Sequence, residues 1–161
     1  MIRPVQLDDA ASICDIYNYY INNTVVTFEE TPVSPQDMEQ RIIETNSEQL
    51  PWLVAHENGE VLGYAYASKW KGRCAYRYSV EVTVYLAPSV TSKGLGTKLY
   101  TTLFSMLKQL SIHTAIGGIS LPNDASIALH KKLGMEKVAC FREVGFKFGK
   151  WVDVSYWQVI L

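Results

Sequence analysis

A chain of 161 residues with 48% hydrophobic composition suits one globular domain over residues 1–161, with a sizeable core and little room for a second. Fifteen basic against sixteen acidic side chains give a formal net charge of -1, which supplies no basic stripe for nucleic acid or an anionic membrane, so any anion must be held locally. Cys14, Cys74 and Cys140 offer neither a disulfide framework nor a metal-ligand spacing, and with no secretory leader at the start and no run able to span a bilayer the expectation is a cytoplasmic protein without metal.

Ile2 to Leu7 predicts a short first strand, and Ile13, Ile16, Tyr17, Tyr20 and Ile21 recur at helical spacing behind the acidic start Asp8-Asp9. Thr24 to Val33 is turn-like, with Phe28 inside it. Ser34-Pro35 then supplies a cap and a first-turn proline for a helix carrying Met38, Ile42 and Ile43. Trp52 to His56 and Val61 to Ala67 flank Asn58-Gly59, whose residue types suit the positive φ angles of a tight hairpin turn. Tyr78 to Ala87 predicts a strand with Val80, Val82, Val84 and Leu86 on one side and Glu81, Thr83 and Tyr85 on the other.

Thr91-Ser92-Lys93-Gly94-Leu95-Gly96-Thr97 follows that strand and opens a helix whose apolar face is Leu95, Leu99, Leu103, Met106, Leu107 and Leu110. At a strand–turn–helix junction, unpaired backbone N–H groups converge and the helix dipole adds partial positive charge, so a phosphate or pyrophosphate is the natural guest. The lysine precedes the glycines, and the third glycine of a dinucleotide fingerprint would fall at Leu99, which sets two familiar phosphate loops aside. Thr114 to Ser120 predicts a fifth strand. Asn123 caps a helix through Ile127, Leu129, His130 and Leu133 that Gly134 closes, and a strand pair, Glu136 to Val144 and Trp151 to Ile160, is joined by Gly145 to Lys150. This order describes an α+β domain: a mixed, mostly antiparallel sheet of about seven strands flanked by about four helices.

With these motifs in place the chain resembles the GCN5-related N-acetyltransferase (GNAT) superfamily, whose acetyl-CoA loop runs Gln or Arg, two residues, Gly, one residue, Gly or Ala; here it is Thr91 to Gly96. The superfamily's asparagine, later tyrosine and closing Gly-aromatic pair correspond to Asn123, His130 and Gly134-Met135. More narrowly, Trp70-Lys71-Gly72-Arg73-Cys74-Ala75-Tyr76, Val80-Glu81, Leu121-Pro122-Asn123-Asp124, Gly149 to Val154 and Tyr156-Trp157-Gln158 look like phosphinothricin N-acetyltransferases, over a span from Arg3 to Leu161. Thr91 departs from the superfamily's Gln or Arg and leaves the phosphates to backbone donors. His130 departs from its tyrosine, as the narrower family also does.

The resemblance implies a GNAT fold, acetyl-CoA as co-substrate, and transfer of acetyl to the α-amine of a small amino-acid analogue such as phosphinothricin, methionine sulfoximine or methionine sulfone. Such transfer needs a free amine, a donor for the developing oxyanion and a proton for the leaving thiolate. Glu81 is the candidate base, acting through a water, against a reading as a solvated carboxylate or a partner of Arg73 or Arg77. His130 is a candidate proton donor or acceptor, against a reading as a hydrogen-bonded packing residue. For the cofactor, the main chain of Val84, Tyr85 and Leu86 would face the thioester and pantetheine. Thr91, Ser92, Lys93, Gly94, Leu95, Gly96 and Thr97 would cradle the pyrophosphate, and Asn123 and Ser126 would hold the pantetheine arm or serve only as a helix cap.

For the acceptor, Arg73 would take the carboxylate with Lys71 as auxiliary charge, beside a wall of Trp70, Tyr76 and Phe28. Gly117-Gly118 would allow close approach of cofactor or helix, or mark a simple irregularity. The resemblance adds a homodimer whose C-terminal strands help complete the acceptor pocket. No cysteine is an evident acyl carrier, Cys74 lying in the acceptor-loop motif and the others in apolar surroundings, so direct attack in a ternary complex is expected. The alternatives are another small amine or a peptide N-terminus as acceptor, or a non-catalytic acyl-CoA-binding module.

Overall fold

The structure, a computed structural model, describes residues 1–90 and 94–161. Its elements in chain order are β1 (Ile2–Pro4), α1 (Ala10–Asn23), α2 (Pro35–Ser47), β2 (Trp52–Glu57), β3 (Glu60–Lys69), β4 (Ser79–Leu86), α3 (Leu95–Gln109), β5 (Thr114–Ser120), α4 (Asp124–Lys132), β6 (Glu136–Lys147) and β7 (Lys150–Ile160), with single 3-10 turns at Leu7–Asp9 and Cys74–Tyr76. The strands form one sheet in the order β1-β2-β3-β4-β5-β7-β6, antiparallel except for the β4–β5 pair. No helix among the described residues is long and apolar enough to cross a membrane.

Local chemistry explains most boundaries. The Ser34 hydroxyl accepts from the Asp37 N–H at 3.1 Å while Asp37 accepts from the Ser34 N–H at 3.0 Å, a reciprocal cap that starts α2 at Pro35. Asn58 and Gly59 turn the β2–β3 hairpin at φ of 51° and 84°. Two predicted boundaries move. The first strand stops at Pro4, which cannot donate to a ladder, and Asp9 holds the 3-10 turn by accepting from Gln6 N–H and pairing with Arg3 at 2.7 Å. The predicted connection from Gly145 to Lys150 shrinks to a turn at Phe148-Gly149, both at positive φ, because β6 runs on to Lys147 past a register shift between Phe141 and Gly145. Cys140, expected in apolar surroundings, is exposed because β6 is an uncovered sheet edge.

Two buried clusters lie on opposite faces of the sheet. Leu53, Ala65, Val80 and Val82 pack against Leu99, Leu103 and Leu107 of α3, while Trp52, Val54, Tyr64 and Tyr85 pack against Ile13, Tyr17, Met38 and Ile42 of α1 and α2. The β4 alternation therefore places Glu81 and Thr83 on the α1–α2 face, in line with Tyr85.

The feature that makes a site is a fork. β4 and β5 pair only from Ser79↔Thr114 to Glu81↔Ile116, after which β4 continues beside β3 to Leu86 and β5 beside β7 to Ser120. From Val82 onward no described strand pairs with that side of β4. Two carbonyls on it are taken by buried or half-buried tyrosines: Tyr100 donates to Val82 O at 3.2 Å and Tyr20 to Leu86 O at 2.7 Å.

Candidate active site

Alternate residues of a strand direct both their N–H and C=O to the same side, so the groups of Val84 point the same way as the Val82 and Leu86 carbonyls, into the fork. A cleft of about 340 Å³ opens there between Val84, Tyr85, Leu86 and Ala87 of β4 and its exit, Gly96 of α3, and Asn123, Ser126 and Leu129 of α4. Six residues expected to hold a cofactor, Val84, Tyr85, Leu86, Gly96, Asn123 and Ser126, are thereby brought to one cavity. Gly94 takes φ of 67° just before α3, a left-handed conformation that glycine adopts without strain, and Leu95 and Thr97 stand with Gly96 in the first turn, where backbone N–H groups have no helical acceptor. Thr91, Ser92 and Lys93 lie outside the described residues.

Asn123 accepts from Ser126 N–H at 3.1 Å, so the helix-cap reading holds, and the cap leaves the carboxamide NH₂ without a partner among the described residues at the edge of the cleft.

On the α1–α2 face at the base of the fork stands Glu81. Its carboxyl is half-buried, and burial raises its pKa above the ordinary carboxylate value, with only the Lys71 ammonium opposing. A Cβ on Gly118 would lie 3.8 Å from Glu81 Oε1 and 3.2 Å from Tyr156 Cε1, so the two side chains meet over that glycine. Tyr156 in turn meets Trp70 and Phe141 edge-on, with ring centroids 5.7 and 5.6 Å away. Tyr156 was visible in the sequence only as part of a motif; its alternation with Val152 and Val154 along β7 was the signal that puts it on this face.

The acceptor residues divide between two places. Lys71 and Arg73 line a basin of about 420 Å³ at the foot of β4 together with Lys69, Arg77 and Glu48. Lys71 also lies 5.2 Å over the Trp70 ring, which links that basin to the aromatic wall at Glu81. Phe28 and Tyr76 do not line the basin. Tyr76 is exposed on its 3-10 turn, and Phe28 lies against Gly145 of β6, where a Cβ would overlap its ring. Because Gly145 is opposite Val152, and Val152, Val154 and Tyr156 alternate along β7, Phe28 still covers the same sheet face as Glu81.

His130 is buried between α4 and β5. Its Nδ1–H donates to the Ser126 carbonyl at 2.7 Å, its ring meets Tyr100 edge-on, and Nε2 faces Gly117. It does not line the fork cleft. Burial lowers its pKa, the Ser126 hydrogen bond opposing. With the folded value below the ordinary 6.5, the contribution of neutral His130 to stability is intact above about pH 6.5 and is lost as pH falls through the folded value. Thermal unfolding from pH 8 to 5 should therefore show a fall in Tm that His130→Gln makes shallower; an identical slope in the variant would mean that the imidazole titrates freely.

Comparison with known proteins places the chain in a family. Residues 2–156 match the model of the family described as acetyltransferase (GNAT) domain. The chain is 41% identical over 157 residues to the phosphinothricin N-acetyltransferase of Streptomyces viridochromogenes, covering 98% of this chain and 85% of that protein. It is 37% identical over 163 residues to the L-methionine sulfoximine/L-methionine sulfone acetyltransferase of Salmonella typhimurium, covering 99% and 94%. The crystal structure of a GNAT superfamily phosphinothricin acetyltransferase from Sinorhizobium meliloti in complex with AcCoA superposes with a TM-score of 0.97 at 37% identity, over 100% of this chain and 88% of that one.

Proposed function

We propose, from the premise that this chain belongs to the GNAT acetyltransferase family and is an N-acetyltransferase, that it moves acetyl from acetyl-CoA to the α-amine of a small amino-acid analogue by direct attack in a ternary complex. The observation that carries the reading is the juxtaposition at the fork: unpaired main chain at Val84 on one side, and a half-buried carboxylate of raised pKa, Glu81, at its base. The residues present suit acetyl-CoA. Val84 would meet the pantetheine amides as an added strand would, Asn123 has amide donors with no partner among the described residues, and the first turn of α3 suits the pyrophosphate.

Acetyl-CoA supplies the activated acyl group as a thioester. The chain's own residues do the rest. Glu81, whose pKa burial raises, takes a proton from the acceptor ammonium through a water, and the Val84 N–H donates to the thioester carbonyl. With its Nδ1–H committed to Ser126, His130 has Nε2 as an acceptor and is assigned to holding α4 on β5; the proton for the leaving thiolate then comes from solvent. The acceptor lies against Glu81, Tyr156 and Trp70, with its carboxylate toward Lys71 and Arg73.

Phosphinothricin, methionine sulfoximine and methionine sulfone are the acceptors proposed, since relatives of 41% and 37% identity carry those names. The test is thiol release from acetyl-CoA with each of the three. Turnover with none of them, beside retained acetyl-CoA binding, would sink the acceptor class. Arg73→Met should raise the acceptor KM at least about tenfold with little change in the acetyl-CoA KM; an unchanged acceptor KM would remove Arg73 from the site. A homodimer is also proposed. It is supported by Phe141, Phe146, Phe148 and Trp151, each more than half exposed on the β6–β7 edge, an apolar surface that a second copy would cover.

A further inference from the structure

Lys147 is 1% exposed, although Phe146, Phe148 and Trp151 around it on the same hairpin are 54%, 56% and 64% exposed. A lysine is almost never so buried without a purpose for its donor. Its Nζ donates at 2.8 Å to the carbonyl of Thr27, which lies 120 residues earlier in the segment between α1 and α2. Thr27 is itself buried, and it is a hub. Its hydroxyl is 2.8 Å from the Tyr17 hydroxyl and accepts from the Glu29 N–H at 3.3 Å, while Tyr17 donates to Glu29. Arg41 of α2 then holds Glu29 by two bonds of 2.9 and 2.6 Å. The segment is thus pinned by α1 and α2 on one side and by β6, through Lys147, on the other.

Phe28, the residue after Thr27, lies on Gly145, where any Cβ would overlap the ring. Through Gly145↔Val152 and the Val152–Val154–Tyr156 alternation, Phe28 stands over the same face as Tyr156 and Glu81. We propose that Lys147 is a positioning residue for the acceptor: its bond to Thr27, with the close seat at Gly145, fixes Phe28 as the wall of the acceptor space in front of Glu81. This rests on the acetyl-transfer reading. The clasp also joins the acceptor wall to the β6–β7 hairpin.

Lys147→Met tests it. Methionine keeps the length of the side chain and fills the same space while removing the donor, so the Thr27 carbonyl loses its partner without a cavity being opened. The expected result is an acceptor KM raised about five- to tenfold, an acetyl-CoA KM within about twofold of the parent, and faster backbone hydrogen exchange in the peptide covering residues 24–33. Gly145→Ala, which displaces Phe28 without touching Lys147, should raise the acceptor KM in the same way. An unchanged acceptor KM in both variants, or unchanged exchange over residues 24–33 in Lys147→Met, would overturn the proposal. The exchange measurement needs no turnover, so a parent enzyme inactive with every acceptor tried would count against the proposed function while the clasp is still judged by exchange.

Discussion

Glu81→Gln is expected to lower kcat by about 10²- to 10⁴-fold while leaving the acetyl-CoA KM near that of the parent, the span general-base catalysis ordinarily supplies. Glutamine keeps the shape of the side chain and its neighbours Tyr156 and Gly118, so only the capacity to take a proton is removed. Burial raises the Glu81 pKa above 4.5, so kcat/KM for the parent should rise with pH through that raised value, and Glu81→Gln should lose that limb. Stability runs the other way. A carboxyl whose folded pKa is raised favours the fold fully below its unfolded value, and that contribution is lost as pH rises through the folded value. At pH 7 to 8 the variant should therefore be at least as stable as the parent, a cost in stability accepted for function. Rate and acid limb both preserved in Glu81→Gln would exclude Glu81 as the base.

Gly117→Ala should be the most damaging single-methyl change at the site. Its Cβ would lie 2.5 Å from His130 Nε2 and 2.9 Å from Cδ2, in a ring already fixed by Ser126 and flanked by Tyr100. The ring has nowhere to turn, so α4 must lift from β5, at a cost of about 1–3 kcal/mol and several degrees in Tm. Because Asn123 and Ser126 open α4 at the fork cleft, the acetyl-CoA KM should rise as well. Gly118→Ala is the contrast: its Cβ meets Tyr156 at 3.2 Å and Glu81 at 3.8 Å, so it should spare α4 and lower kcat instead. Combining Gly117→Ala with His130→Ala should cost less than the sum of the two, since the second opens the space the first needs. Strict additivity would show that the clash is relieved elsewhere.

The Gly117-Gly118 pair shows where sequence reading runs out. Two glycines in a strand pattern allowed a cofactor, a helix or an irregularity; the fold gives Gly117 to a helix residue and Gly118 to Tyr156 and Glu81, which no local signal distinguishes. Phe28 and Arg73 were expected around one acceptor, yet the fold sets them apart, Phe28 seated on β6 and Arg73 in the basin at the foot of β4. His130 matched a superfamily position by spacing, but spacing is silent on which ring nitrogen has a partner, and it is the Ser126 carbonyl that commits Nδ1.

What the sequence determined by itself was local and periodic. The Ser34-Pro35 and Asn123 caps, the Asn58-Gly59 turn, the alternation that puts Glu81 opposite Val80 and Val82, and the apolar stripe of α3 all follow from neighbours a few residues apart, whose geometry a short stretch of chain sets alone. The tertiary structure decided what depends on distant partners: the fork after Glu81↔Ile116, the tyrosines from α1 and α3 that take the carbonyls it frees, the pKa that burial gives Glu81, and the reach of Lys147 to Thr27. Such features exist only once separate elements exclude water from between them, because desolvation and the pairing of orphaned backbone groups are properties of the packed assembly and not of any segment in it.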